Sequence, residues 1–295
     1  MKRKFGFGKL VLTSSLISLF AAGLILLGAF MILKREFPEV QILKTHYPQV
    51  IYQGPKKPRV IKILPNPPPG WVRYESISKL AIYAVIVSED GAFFTHEGFD
   101  PNELKEAIKE DLVERRFARG GSTITMQVVK NAFLTNEKSL YRKFKEFILA
   151  IRLDKDVSKK KILETYMNIV EFGEGIWGIT QASRHYFQKH PSELTAKEGA
   201  FLAMLLPSPK KYSQSFRSKQ LTRYASKTID NILFRMMKAG YITEEDYEYE
   251  RGTALSFEIP TDKPPPVEDE SLGEGDDGSQ DFEGDLDPTP EDGSS

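Results

Sequence analysis

The chain opens on an apolar block and then changes rhythm. No position from Leu10 to Leu33 is charged. As a helix, such a block rises about 36 Å, enough to cross a hydrocarbon core of about 30 Å. Lys2, Arg3, Lys4 and Lys9 precede it, and Lys34 and Arg35 follow it. This flank predicts a cytoplasmic tail over residues 1–9 and a transmembrane anchor over 10–33. A cleaved signal peptide is the competing reading. Its apolar core usually runs roughly 7–15 residues and ends at a small-x-small site, and neither feature is found here. Both readings place the remainder outside the cytoplasm.

Residues 34–75 carry Pro38, Pro48, Pro55, Pro58, Pro65 and the run Pro67–Pro69. Prolines at that density exclude long helices and predict a connector. From residue 76 the apolar positions fall at helical spacing. Leu80, Tyr83, Ala84 and Val87, with Ile82, Val85 and Ile86 beside them, predict a buried helix over 77–89. Further helices are predicted over 101–114, 123–131, 140–153, 158–170, 176–187, 195–205, 221–239 and 243–250. Ser158 is positioned as an N-cap, and Thr195 with Glu198 forms a capping-box pattern. Strand patterns are scarce. The predicted class is therefore mainly α, with one body over 76–255 and an acidic tail over 256–295 too polar to build a core.

Composition changes this picture in one respect. The chain has equal numbers of acidic and basic side chains, yet residues 262–292 hold thirteen Asp and Glu against the single Lys263. Residues 1–261 are left with 40 basic and 28 acidic side chains, a net charge of +12. A body so charged suits an anionic partner, such as a phosphate-bearing lipid or a nucleic acid. The absence of cysteine excludes disulfides and thiolate metal sites, and four scattered histidines argue against a His-built zinc site.

Four clusters carry candidate chemistry. The first is Glu89-Asp90-Gly91-Ala92-Phe93-Phe94-Thr95-His96-Glu97-Gly98-Phe99-Asp100, where an apolar helix gives way to an aromatic turn. A carboxylate against apolar surface can have a raised pKa and serve as a general base; a helix-end carboxylate can equally be a solvated cap. The second runs from Gly120-Gly121-Ser122-Thr123 through Gln127 to Lys130 and Asn131. Glycines leading into a helix start can offer N–H groups to an anion, or simply precede a capped helix. The third holds Arg142, Lys143 and Glu146, with Arg142 and Glu146 on one helix face; an ordinary surface ion pair is the bland alternative. The fourth, from Glu164 and Asn168 through Gly173, Gly175 and Gly178, reads as a fold-holding corner in which Glu164 and Asn168 satisfy buried groups.

In order and spacing these clusters resemble the motifs of the peptidoglycan glycosyltransferases, the family of monofunctional biosynthetic transglycosylases and of the first domain of class A penicillin-binding proteins. The pattern Glu-Asp-x-x-Phe-x-x-His-x-Gly-x-Asp is met by Glu89, Asp90, Phe93, His96, Gly98 and Asp100. The second motif is met by Gly121, Ser122, Thr123, Ile124, Thr125, Gln127, Lys130 and Asn131, and the third by Arg142, Lys143, Glu146 and Ala150. One departure stands out: Met126 replaces the first of the family's two glutamines.

The resemblance implies a lysozyme-like helical glycosyltransferase domain behind the anchor, at the extracytoplasmic side of the plasma membrane. It implies polymerisation of lipid II onto a growing glycan strand by inverting β-1,4 transfer. Glu89 would be the base and Glu146 the second carboxylate. Asp90, His96, Ser122, Thr123, Gln127, Lys130, Asn131, Arg142 and Lys143 would bind substrate. Glu146 could also orient a divalent cation, Mg²⁺ or Mn²⁺, on the pyrophosphate. Implied partners are membrane lipid, penicillin-binding transpeptidases and other cell-wall synthesis proteins, not nucleic acid. Phe117, Phe133 and Leu134, near Arg115, Arg116 and Arg119, are candidates for dipping into the membrane interface. Transpeptidation is not expected, because the Ser-x-x-Lys matches at Ser76 and Ser158 are followed by no Lys-Thr-Gly. The alternatives are a glycan-cleaving lysozyme-like enzyme or lytic transglycosylase, and a scaffold that binds lipid II without turnover.

Overall fold

The helix at the centre of the body is buried on every side, with its two charged residues, Lys197 and Glu198, confined to the first turn. All ten residues of Ala196–Leu205 are buried, as expected of a helix without a polar face. The computed structural model describes residues 37–54, 59–101, 121–134 and 139–259, together with Phe20, Gly23 and Leu24. The predicted anchor otherwise lies outside these residues, as do most of the predicted helix over 101–114, the arginines 115, 116 and 119 with Phe117, and the acidic tail beyond Ile259. Among the described residues no helix is long and apolar enough to cross a membrane. By contacts, residues 1–40 form a unit separate from residues 41–295.

Within the larger unit the elements run β1 (Tyr47–Ile51), β2 (Val60–Leu64), α1 (Lys79–Glu89), α2 (Ile124–Phe133), α3 (Leu140–Asp156) and α4 (Lys159–Ile169). These are followed by β3 (Glu171–Gly173), β4 (Ile176–Trp177), α5 (Ile179–Phe187), α6 (Ala196–Leu205), α7 (Pro209–Tyr212), α8 (Gln214–Ser218), α9 (Arg223–Lys238) and α10 (Glu244–Gly252). The mainly α reading holds for the described residues. The only strands among them form two antiparallel pairs, β1–β2 and β3–β4.

Local chemistry sets the helix starts. The side chains of Thr123, Ser139, Ser158 and Thr222 each accept a backbone N–H of the first turn. Thr195 and Glu198 close the expected capping box, and Thr243 closes another with Asp246. One boundary differs from expectation: residues 176–187 are not one helix. Ile176 and Trp177 pair with β3, and Gly178, at φ +78°, turns the chain into α5. A Cβ at Gly178 would lie 2.5 Å from the Asn168 carbonyl oxygen, so only glycine lets the strand fold that tightly onto α4.

α1 lies chiefly against α6, and α9 covers both. α1 and α6 approach closely at Gly199, where a Cβ would come 2.6 Å from the Ala81 Cα. α2 packs between α3 and α4. The Pro-rich connector contains the β1–β2 hairpin and docks on α4. Glu164 accepts from the Trp71 indole N–H at 3.0 Å, the Tyr74 N–H at 3.0 Å and Lys161 at 2.7 Å. Asn168 closes both backbone bonds of Val72, at 2.9 and 2.8 Å. The fourth cluster is therefore the structural corner its composition suggested.

Candidate active site

Glu89 is the last residue of α1, so its carboxylate stands where the apolar helix opens into the aromatic turn. Part of the residue remains reachable, while the protein packed around the carboxylate strips most of its hydration. That desolvation raises its pKa. A hydrogen bond from Gln127 and the charge of Lys130 oppose the rise, and Asp90 adds to it. Gln127 donates to Glu89 Oε2 at 2.8 Å and accepts from the fully buried Tyr166 hydroxyl at 3.2 Å. This chain of hydrogen bonds fixes the carboxylate from α4 through α2.

Asp90, adjacent in sequence, lives in a different environment. It is 1 % exposed and turns inward. Both its oxygens lie 3.0 Å from His96 Nε2, and Oδ2 also accepts the Ile124 N–H at 2.9 Å. His96 Nδ1 accepts the Gly98 N–H at 3.1 Å, so Nε2 bears the proton given to Asp90. Thr123, equally buried, donates to the Gly98 carbonyl at 2.8 Å and caps α2 through Met126 N–H. Asp90, His96 and Thr123 thus tie the turn after α1 to the start of α2. Buried and bonded in this way, they are placed to hold Glu89 in position. The same bonds take up the Ile124 and Met126 N–H groups, so the start of α2 is not the open anion cradle its glycines suggested.

Gly98 has a second role. At φ +90° it presses on α3, and a Cβ there would lie 2.7 Å from the Ala150 carbonyl oxygen. Phe99 and Phe147 meet beside it, ring centroids 4.8 Å apart. The first and third motifs are two sides of one contact.

The cationic wall stands on α2 and α3. Glu146, 1 % exposed, accepts from Arg142 at 2.9 Å and from Lys143 at 2.9 Å, one on each oxygen. Lys143 also donates to the Ser122 hydroxyl at 2.5 Å. Lys130 is held below the usual lysine range mainly by burial; Glu146 opposes that shift, and Lys143, Arg59 and Arg142 add to it. Lys130 therefore stands electrostatically between Glu89 and Glu146. Three cations, Lys130, Arg142 and Lys143, share the buried Glu146 carboxylate, a surplus of positive charge suited to a diphosphate.

Both Glu146 oxygens are already bonded to cations, and among the described residues no three His, Asp or Glu gather as a metal cage. A Mg²⁺ or Mn²⁺ at Glu146 would share its oxygens with Arg142 and Lys143, and no step below runs through a metal.

Arg59 is a site residue that sequence reasoning missed. From the foot of β2 it donates to Asn131 Oδ1 at 3.1 Å and to the Lys130 carbonyl at 3.5 Å, stacked over Trp177. Asn131, buried, is thereby committed to Arg59. Met126 is 3 % exposed and packs in the core, so the departure from the two-glutamine pattern does not face the cleft.

The transglycosylase family's sequence profile matches residues 60–237, the span that contains every one of these residues except Arg59. A biosynthetic peptidoglycan transglycosylase of Nitrosomonas eutropha is 42 % identical over 155 residues, 52 % of this chain and 64 % of that protein. One from Brucella suis is 41 % identical over 174 residues, 59 % of this chain and 75 % of that protein. Penicillin-binding protein 1A of Aquifex aeolicus is 39 % identical over 178 residues, 60 % of this chain but 24 % of its own length. With two carboxylates, a cationic wall and this matched span, the chain belongs to the transglycosylase family.

Proposed function

We propose that this chain polymerises lipid II into peptidoglycan glycan strands by inverting glycosyl transfer. The carrying observation is Lys130, whose charge acts on a desolvated Glu89 on one side and on Glu146, bonded to Arg142 and Lys143, on the other. Glu89, once ionised, takes the proton from the 4-hydroxyl of the acceptor sugar. That oxygen forms the bond to the donor's anomeric carbon as the bond to the polyprenyl pyrophosphate breaks. A single displacement turns an α-linked donor into a β-1,4 product. The departing diphosphate meets Lys130, Arg142 and Lys143, with Ser122 beside them. Arg offers paired donors to phosphate oxygens and Lys a point charge. Proton removal by one positioned base is worth roughly 10²–10⁴-fold.

A glycan hydrolase has no anionic leaving group for this wall to receive, which favours the polymerase over the lytic alternative. The same reading places the enzyme at the plasma membrane, anchored by residues 10–33, working beside transpeptidases that cross-link its product. Leu140, Tyr141 and Phe144, at 77, 51 and 56 % exposure on α3, add to Phe133 and Leu134 as apolar surface suited to lipid. The deciding experiment is incubation with lipid II and, separately, with purified sacculi. Glycan polymer from lipid II, lost in Glu89→Gln, is the expected result; solubilised sacculi with lipid II untouched would overturn the reading.

A further inference from the structure

Where α3 ends and α4 begins, two charges stand against the helix dipoles. Asp154 lies in the last turn of α3, where a negative charge is disfavoured, and Lys159 opens α4, where a positive charge is disfavoured. Neither helix gains from its residue, and a broken local rule points to a task outside the helix. The two side chains meet. Lys159 Nζ donates to Asp154 Oδ2 at 2.7 Å, and the aspartate side chain is 2 % exposed. Asp154 Oδ1 is buried and has no hydrogen-bond partner among the described residues, so this buried charge depends on Lys159.

What the pair grips is the turn that follows Glu89. Lys159 Nζ also donates to the His96 carbonyl at 2.6 Å and stands 4.8 Å from the centre of the buried Phe93 ring. Asp154 Oδ2 lies 4.0 Å from His96 Nδ1, so the imidazole sits between two buried aspartates, with Asp90 on its Nε2. The turn is thus held from two sides. Asp90 and Thr123 tie it to the start of α2, and Lys159 ties it to the corner between α3 and α4. Glu146 stands on α3 eight residues before Asp154, about 12 Å along the axis. One helix therefore carries both the carboxylate that aligns the cationic wall and the carboxylate that orients Lys159. We propose that Asp154 and Lys159 are positioning residues, a buried clamp on the turn after α1 that sets the distance between Glu89 and the cationic wall. The inference rests on the reading of Glu89 as the base. Lys159 acts through the His96 carbonyl, and Asp154 acts through Lys159. A misplacement of about 1 Å in reacting groups can cost about 10²-fold in rate, so a clamp remote from the chemistry still governs it.

Removing one member of a buried ion pair strands the other and risks unfolding, whereas a hydrophobic replacement of both is commonly tolerated. The test on the full chain therefore combines Asp154→Leu with Lys159→Met, which keep branching and length while removing the donor to the His96 carbonyl. Asp154→Asn with Lys159→Met serves as the second variant if the first does not fold. Hydrogen exchange of the Gly98 amide is read without substrate, and kcat and KM are read on lipid II. Gly98 exchange should quicken about tenfold while the Leu202 and Leu233 amides of the core keep their protection. The kcat per folded molecule should fall about 10–100-fold with KM within about twofold. Lys159→Arg, which keeps the charge and the donors, should restore kcat to within about threefold of wild type. Unchanged Gly98 exchange, an unchanged kcat in a folded variant, or a loss confined to KM would overturn the proposal. If the wild type leaves lipid II untouched, the proposed function falls instead, and the exchange measurement still decides whether the pair holds the turn.

Discussion

Glu89 and Glu164 are both glutamates set against the protein interior, and they are handled in opposite ways. Glu164 receives the Trp71 indole, the Tyr74 amide and Lys161, so its charge is matched on all sides. Glu89 receives one neutral donor, Gln127, and is desolvated beyond what that donor offsets. A carboxylate whose lone pairs are filled locks the connector to α4; one left partly unmatched retains affinity for a proton. Residue type and burial alone do not distinguish a structural carboxylate from a basic one; the donor inventory does.

That contrast can be attacked from either end. Glu89→Gln removes the base while keeping the shape, and is expected to lower lipid II polymerisation by about 10²–10⁴-fold, or about 3–5 kcal/mol of transition-state stabilisation. Its melting temperature should stay near wild type, and a matching collapse of the melt would erase the distinction. Glu164→Ala should behave inversely, leaving three donors unpaired at a cost of about 3 kcal/mol of stability. Turnover per folded molecule should stay within about twofold of wild type, because the bonds of Glu164 run to the connector and to Lys161.

Gln127→Ala sharpens the comparison further by removing the donor Glu89 has among the described residues. Because Glu89 works ionised, its raised pKa places the ascending limb of the pH–rate profile above the ordinary carboxylate range. The Gln127 hydrogen bond lowers that pKa, so the variant's limb should move to still higher pH. A limb that stays in place would show that Gln127 does not tune the base. Met126→Gln is the mildest test. The side chain is buried, so activity should change less than about twofold, while burying the amide costs about 1–3 kcal/mol of stability.

Much of this was legible before any coordinates. Helices α1, α3, α4, α6 and α9 follow from apolar spacing, and their starts from Ser158, Thr195 and Glu198, because period and capping are local properties. The cationic wall was legible for the same reason, since Arg142, Lys143 and Glu146 share one turn and a half of helix. What stayed hidden depends on distance along the chain. Arg59 bonds Asn131 across 72 positions and Trp71 bonds Glu164 across 93, and no periodicity encodes such pairs. The β1–β2 hairpin was masked by the prolines around it, although Val60-Ile61-Lys62-Ile63-Leu64 carries the β-branched run of a strand. The inward turn of Asp90 and Thr123 was hidden too, because adjacency to Glu89 says nothing about which way a side chain faces.

The contact of Gly98 with the Ala150 carbonyl gives the site a mechanical hinge point. Ala150 lies one helical turn after Glu146, so anything that pushes the α3 backbone away at 150 also carries off the carboxylate that aligns Arg142 and Lys143. A single methyl group added at 98 would act as a wedge, prying the cationic wall from the base without touching either. Drift at this position is therefore policed through catalysis as well as folding, and a designer seeking to widen the cleft without rebuilding its chemistry would find the adjusting screw at residue 98.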